Sequence, residues 1–225
     1  MAGLKRNEPA LMFGGAQVTP DEIDMYYVYQ IVMPGTAHNF VGTSAPGSLG
    51  AAVAFGANSA IPDYPRNLSL IIRGNGSNTS VGGTAVVNGL DQFGSVISET
   101  FAFAGSTGNG NADGTKVFAR FTSGTVTYGT MAQAGTSYLG FVTGTNCLFG
   151  LPVKLAGTGD VILLSHNAGT GAVSVGGGTV GAFVNATMHA VRPAAALTGT
   201  EAITVWIASN YNPTNIPEVS ALRQK

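Results

Sequence analysis

Asn109-Gly110-Asn111-Ala112-Asp113-Gly114 is the segment whose residue types come nearest to a metal site. Oxygen-bearing side chains alternate there and a glycine stands sixth, as in the first half of a calcium loop, where alternate ligands wrap the ion and the sixth residue turns sharply. The twelfth position should supply a bidentate glutamate, and it is Arg120. The segment is therefore expected to be a polar turn within a long exposed tip over residues 105–114, without metal. Asp21, Glu22 and Asp24 form a carboxylate cluster, but it follows Thr19-Pro20 in the pattern of a helix start, where acidic side chains complement the macrodipole. His38, His166 and His189 have no ligand spacing such as H-x-x-x-H. A triad of His166 or His189 with a serine and Asp160 would lack a G-x-S-x-G elbow. The glycines near 105–110 and 176–178 do not form a dinucleotide fingerprint, and no phosphate-loop lysine is present. No catalytic residue, cofactor or metal is expected. Glu99, on an otherwise bulky apolar strand face, is expected to pair with Arg66 or Arg73, because an inward charge needs a partner.

The elements that would position these residues are strands. Leu68, Leu70 and Ile72 alternate with Asn67, Ser69 and Arg73, and Thr84 to Val87 leads into the turn-forming pair Asn88-Gly89. From Ser95 to Phe103 the odd positions carry Ile97, Phe101 and Phe103, and the even ones carry Ser98, Thr100 and Ala102. Further strands are expected over 117–121, 125–128, 139–143, 160–165, 172–175, 182–189 and 202–208. Short strands at close spacing with glycine turns predict an all-β fold, a β-sandwich or jelly roll with an extended N-terminal arm. Residues 1–60 read as the arm and a Gly/Ala-rich linker, 61–210 as the sandwich domain, and 211–225 as an extended tail. No fixed repeat period is present.

Within the arm, Met25 to Met33 (MYYVYQIVM) is apolar on both faces and must pack on something. It either adds an edge strand to the sandwich or pairs with a neighbouring subunit by strand addition, and the second is the preferred expectation. Tyrosine brings large area with a polar tip, so Tyr26, Tyr27, Tyr29 and Ile31 are the candidate subunit-interface residues.

With 33 glycines and 10 prolines helices are expensive, while 44% hydrophobic residues argue against disorder. Only 9% of residues are charged, against roughly a quarter in an ordinary soluble protein, and from Phe121 to Val191 the charged side chains are Lys154 and Asp160 alone. A surface so lean in charge suits coverage by other subunits, since interface cores are depleted in charge. A net charge of -1 without a basic cluster gives no electrostatic basis for nucleic-acid binding. No apolar run reaches the roughly 18 residues of a spanning helix, and the start MAGLKRNEPALMFGG lacks a signal-peptide core, so no membrane partner is expected. The single Cys147 lies in the apolar run TNCLFGL and is expected to be a buried, inert thiol, in keeping with a reducing cytoplasm.

The words PRNLSLII, GLDQFGSVISETF, LFGLPVKL (148–155) and AFVNATMHAV (182–191) resemble a recurring β-sandwich protein of tailed-phage virions, of the head-decoration or cement type. The resemblance rests on Pro65-Arg66-Asn67, on Gly89, Asp91, Gly94, Ser98, Glu99 and Thr100, and on Gly150-Leu151-Pro152, and it covers residues 61–210. It implies a non-enzymatic capsid protein on the virion surface, assembled in the host cytoplasm, that bridges major capsid subunits and associates with copies of itself, a trimer being expected. A tail, connector or fibre component, or a receptor-binding sandwich, is the alternative. A carbohydrate-active jelly-roll enzyme would need two convergent carboxylates from Asp91, Glu99, Asp113, Asp160 and Glu201.

Overall fold

The computed structural model describes residues 12–13, 16–17, 25–32, 34–36, 42–44, 52–55, 61–73, 81–103, 110–131, 136–167, 173–175, 183–193 and 195–209. The first strands are β1 (Met12–Phe13), β2 (Ala16–Gln17), β3 (Met25–Val32), β4 (Gly42–Ser44), β5 (Ala52–Ala54) and β6 (Arg66–Arg73). Then come β7 (Val81–Leu90), β8 (Val96–Phe103), β9 (Gly110–Phe118), β10 (Arg120–Met131), β11 (Thr136–Phe141) and β12 (Phe149–Gly150). The chain closes with β13 (Val161–Asn167), β14 (Val173–Val175), β15 (Val184–Asn185), β16 (Ala190–Val191) and β17 (Ala202–Ser209). A 3-10 turn spans Thr158–Asp160. The protein is an all-β sandwich.

Among the described residues its sheets build two large cores, with a small third cluster of Val117, Leu148 and Ala190. A central sheet runs β15-β16-β12-β6-β11-β4, with β9 also on β6. Against one part of it packs the sheet β5-β10-β7-β8, and Leu68, Leu70, Phe118 and Leu139 on the central side meet Ala85, Val87, Phe101, Phe121 and Val126 on the other. Against the rest packs the sheet β14-β13-β17-β3, where Ile31, Val161, Leu164, Ile203, Val205 and Ile207 meet Cys147, Phe149, Leu151 and Val191. The period-two pattern explains the first core directly: the odd residues Phe101 and Phe103 of β8 are buried and Ala102 between them is exposed.

Arg66 lies where the cores meet. It is fully buried, with its guanidinium 4.2 Å from the Phe141 ring centroid in one core and 5.0 Å from that of Phe149 in the other. It donates to Gly35 O at 2.7 Å and Val142 O at 3.1 Å and pairs with Asp63 at 3.4 Å, which corrects the expected pairing with Glu99. A buried charge persists only when it is compensated, and two carbonyls and one carboxylate compensate this one through the terminal nitrogens, while Nε–H is left without a hydrogen-bond partner. Asn67 is buried beside it, donating to Gly114 O and Asn146 O and accepting from Leu148 N–H. The Asp63-to-Asn67 segment is thereby stapled to three separate parts of the chain, at Gly35, at Gly114 and at Val142 to Leu148.

Several sequence expectations change. The 105–114 tip is partly strand: β9 begins at Gly110, and Asn111, Ala112 and Asp113 pair with Ile71, Leu70 and Ser69. The backbone there is extended and does not wrap. Asn88 and Gly89 are not a turn but continue β7, pairing with Ser98 and Ile97. A Cβ at Gly89 would stand 2.2 Å from Arg120 O, so the glycine permits close approach of β10. The turn is Asp91 to Ser95, where Asp91 Oδ1 accepts from Phe93 and Ser95 N–H, each at 2.8 Å, and Gly94 takes φ 81°. The single strand expected over 182–189 is instead the start of a hairpin of β15 and β16, whose turn is closed by Asn185 Oδ1 on Met188 N–H and by Ala186 O on His189 N–H. Within the stretch expected as arm and linker, β4 pairs with β11 and β5 with β10, and Phe55 enters the first core. The Thr19 helix start, Asp21, Glu22, Asp24, His38 and the 211–225 tail lie outside the described residues.

Candidate functional site

Strand β3 pairs antiparallel with β17 over its full length, from Ala202↔Val32 to Ser209↔Met25. Of the two placements the sequence leaves open, the structure shows the edge strand on the chain's own sheet, and the expected arm paired with a neighbour is corrected accordingly. The reason is local. Ile31 faces inward opposite Ile203 and has no exposed surface, so this strand completes the second core. The end of β3 is tied down as well: Val32 N–H donates to the Tyr64 hydroxyl at 2.9 Å, and that hydroxyl donates to Val32 O at 3.0 Å. Asp63 Oδ2 accepts from Gly35 N–H at 2.6 Å just beyond.

The four candidate interface residues therefore separate. Ile31 has no surface to offer a partner. Tyr29 is half-buried against the second core, and burial, followed by the neighbouring Tyr64, pushes its phenol up to about 12. Tyr27 keeps 43% of its surface exposed. Tyr26 stands opposite Ala208 in the register, and its side chain lies outside the described residues.

The other face of this sheet is what the sequence reasoning missed. Its cross-strand rows are Val28–Trp206–Leu163, Gln30–Thr204–Ser165 and Val32–Ala202–Asn167. Val28, Val32 and Trp206 are 45%, 46% and 39% exposed, and the residue inserted at the β13 bulge, Ile162, is 45% exposed. None of the residues in these rows carries a charge. The signal was present as the alternation Thr204, Trp206, Ala208, but alternation alone does not say which face is covered. An uncharged face centred on an exposed tryptophan, beside an edge strand without lysine or proline, lacks the usual protection against strand and face pairing. What it can do is bind by area, not react.

The groups considered for chemistry are engaged in holding backbone. Glu99 accepts from Thr115 N–H at 2.6 Å and from Lys116 N–H, fastening β8 to β9. Asp160 accepts from Ala156 and Gly157 N–H, Asp113 accepts from the Ser69 hydroxyl, and Glu201 accepts from Thr198 and Gly199 N–H. Although burial opposes it, hydrogen bonding from Thr198 and Gly199 leaves the Glu201 carboxyl below its ordinary value. His166 is buried on the inner face of β13, and burial lowers its pKa against the pull of Glu201. His189 Nδ1 accepts from Leu155 N–H at 3.0 Å, and burial together with the Lys154 charge lowers its pKa. His189 Nδ1 and Asp160 Oδ2 accept from the consecutive amides of Leu155 and Ala156, so that imidazole nitrogen does not donate to the carboxylate as the envisaged triad would need. Cys147 is buried and its thiol is pushed up to about 11 by burial, as a buried inert thiol should be.

No protein-family model and no curated protein matches the chain. Solved structures similar to it include that of the infectious bursal disease virus Gx strain, at 14% identity over 96% of this chain and 48% of that one, with a TM-score of 0.22. Particles of T=1 symmetry derived from the same virus give 11% identity over 92% and 40%, with a TM-score of 0.25. The VP2 subviral particle of that virus gives 13% identity over 92% and 44%, with a TM-score of 0.21. The chain thus spans less than half the length of each of these structures.

Proposed function

We propose that this chain is a non-enzymatic structural protein of a virion, and more finely a decoration or cement protein that sits on a tailed-phage head and bridges major capsid subunits. The observation that carries the reading is the uncharged outer face of β14-β13-β17-β3, with Trp206 in its middle row of strands. Such a face gains free energy only when another surface covers it, at roughly 25 cal/mol per Å² of apolar area removed from water. Carboxylates held by backbone amides, low overall charge and the decoration-protein words of residues 61–210 support the same reading. In this proposal the face lies across a joint between shell subunits, and copies of the chain associate about a symmetry axis, as closed homo-oligomers do.

The test uses full-length protein and undecorated shells. Trp206→Asp is expected to keep the fold and lose shell binding. Removal of residues 1–60 would be a poor test, because β3, β4 and β5 are built into the sheets. A copy number in the hundreds per particle fits a decoration protein, whereas a few copies would move the chain to the tail or connector. Undiminished shell binding by Trp206→Asp would remove the face from the mechanism.

A further inference from the structure

The Asp91-to-Ser95 turn after β7 and the 186–189 turn before β16 meet at a cleft of about 270 Å³. Gln92 Nε2 donates to Met188 O at 2.8 Å, and the rings of Phe93 and His189 meet edge to face with centroids 5.4 Å apart. The lining includes Asp91, Phe93, Lys116, Lys154, Met188 and His189. In a chain this poor in charge the concentration is informative. Of the lysines and arginines whose side chains are described, Arg66, Lys116, Arg120, Lys154 and Arg192, two line this one cleft.

His189 has φ 47°, the left-handed region where residues with a side chain are rare outside functional or tightly held sites. Its carbonyl accepts from Leu151 N–H at 2.8 Å, and its Nδ1 accepts from Leu155 N–H. A glycine would adopt that φ without strain, so what the imidazole adds is the acceptor for Leu155 N–H and a second ring nitrogen beside the cleft. With Nδ1 accepting, the neutral ring carries its proton on Nε2, which is left as a donor. Lys154 Nζ lies 5.3 Å from the Phe93 ring centroid and has no carboxylate partner among the described residues. Lys116 Nζ, in contrast, is held by Ser98 O at 2.6 Å.

We propose that this cleft binds a carboxylate, with the Lys154 ammonium as charge partner, His189 Nε2–H as second donor, and Phe93 and Met188 against the carbon chain. Two side-chain donors match the two oxygens of a planar monoanion. A phosphate would bring more acceptors than these donors satisfy. The backbone amides of the 91–95 turn that could have served it are already taken by Asp91, whose own charge opposes a dianion. The carboxylate can belong to a free small acid or to an Asp or Glu side chain of another protein.

Full-length ¹⁵N-labelled protein is titrated at constant ionic strength with sodium glutarate, with a blocked tetraglutamate peptide and with inorganic phosphate. Both carboxylate probes are expected to shift the amide signals of Gln92, Phe93, Leu155 and His189. Lys154→Met should weaken them about tenfold, the equivalent of one charge-assisted hydrogen bond. His189→Asn, a residue that tolerates the left-handed backbone and keeps an acceptor near Leu155 N–H, should weaken them by a smaller factor while leaving the signals outside the cleft in place. A peptide bound about tenfold tighter than glutarate assigns the carboxylate to a protein partner, and the reverse order assigns it to a free acid. No shift with either carboxylate, shifts that survive Lys154→Met, or phosphate bound as tightly as glutarate would overturn the proposal.

Discussion

The outer faces of the two flanking sheets are built on the same alternation and end in opposite chemistry. On β5-β10-β7-β8 the exposed rows read Ser98–Asn88–Ser123, Thr100–Val86–Thr125–Ala54 and Ala102–Thr84–Thr127–Ala52, dominated by hydroxyls and small groups. On β14-β13-β17-β3 the corresponding rows carry Trp206, Val28, Leu163 and Val32. The rows of the second face carry no charge, and the first face carries one at its end, Arg120 in the row Val96–Leu90–Arg120. Neutral hydroxyls satisfy water without ions, so the first face is largely solvated, with Val86 and Val96 exposed singly, whereas the second gathers a tryptophan and valines in neighbouring rows. Low charge is therefore not one property in this protein. On one side it makes a largely hydroxyl-bearing solvated surface, and on the other a surface that exposes apolar side chains.

The largest expected effect tests whether the two regions stand together. Arg66→Ala removes the group that joins both cores and strands the carbonyls of Gly35 and Val142, and should cost about 3–5 kcal/mol. Urea unfolding followed by separate probes near Trp206 and in the first core should then show two transitions. Arg66→Met, which keeps much of the volume, should cost less than half as much. Equal losses for the two variants would mean that the charge has no part in the joint.

Next comes the faces themselves. Trp206→Asp should weaken shell binding by roughly 2 kcal/mol or more, about thirtyfold, as for an interface hot spot, and Thr100→Asp on the opposite sheet should leave it unchanged. Equal effects of the two substitutions would erase the distinction between the faces.

A smaller effect separates the regions by pH. His166, inside the second core, has its folded pKa lowered below the ordinary 6.5. The unfolded chain then binds the proton that the folded one refuses, so stability is full above that value and falls as pH drops through and below it. Glu201 has a folded pKa below 4.5 and adds a loss only at lower pH, as its carboxylate becomes protonated. The urea midpoint reported by Trp206 should therefore fall between pH 7 and pH 5, with His189 adding to the fall because its pKa is lowered as well, and His166→Gln should flatten that dependence in part. A midpoint as steep in the variant as in the parent would exclude His166 as its source. The smallest change expected is Val86→Thr on the first face, within about 0.5 kcal/mol in either direction by thermal unfolding.

Much of the strand content was legible. The alternations at 66–73, 95–103 and 202–208 correspond to β6, β8 and β17, because side chains of period two announce a half-buried sheet. Turn chemistry was read less well. Asn88-Gly89 has the residues of a hairpin turn, yet tertiary approach of Arg120 gave Gly89 another use, and Asn109 to Gly114 has the residues of a loop, yet pairing with β6 drew most of it into a strand. The tyrosine-rich run 25–33 was legible as a sticky strand, but its partner was not, since β17 lies some 175 positions away and nothing local specifies it.

By itself, then, the amino-acid order determined that the chain would be extended over much of its length, that each strand would have two distinguishable faces, and that ionised groups would be few. Only the tertiary structure decided which face of each sheet is covered, that Ile31 lies inside while Trp206 lies outside, and that Arg66 is sealed between two cores. The physical reason is that alternation is a property of neighbours along the chain, whereas burial is a property of whatever distant segment comes to lie on top.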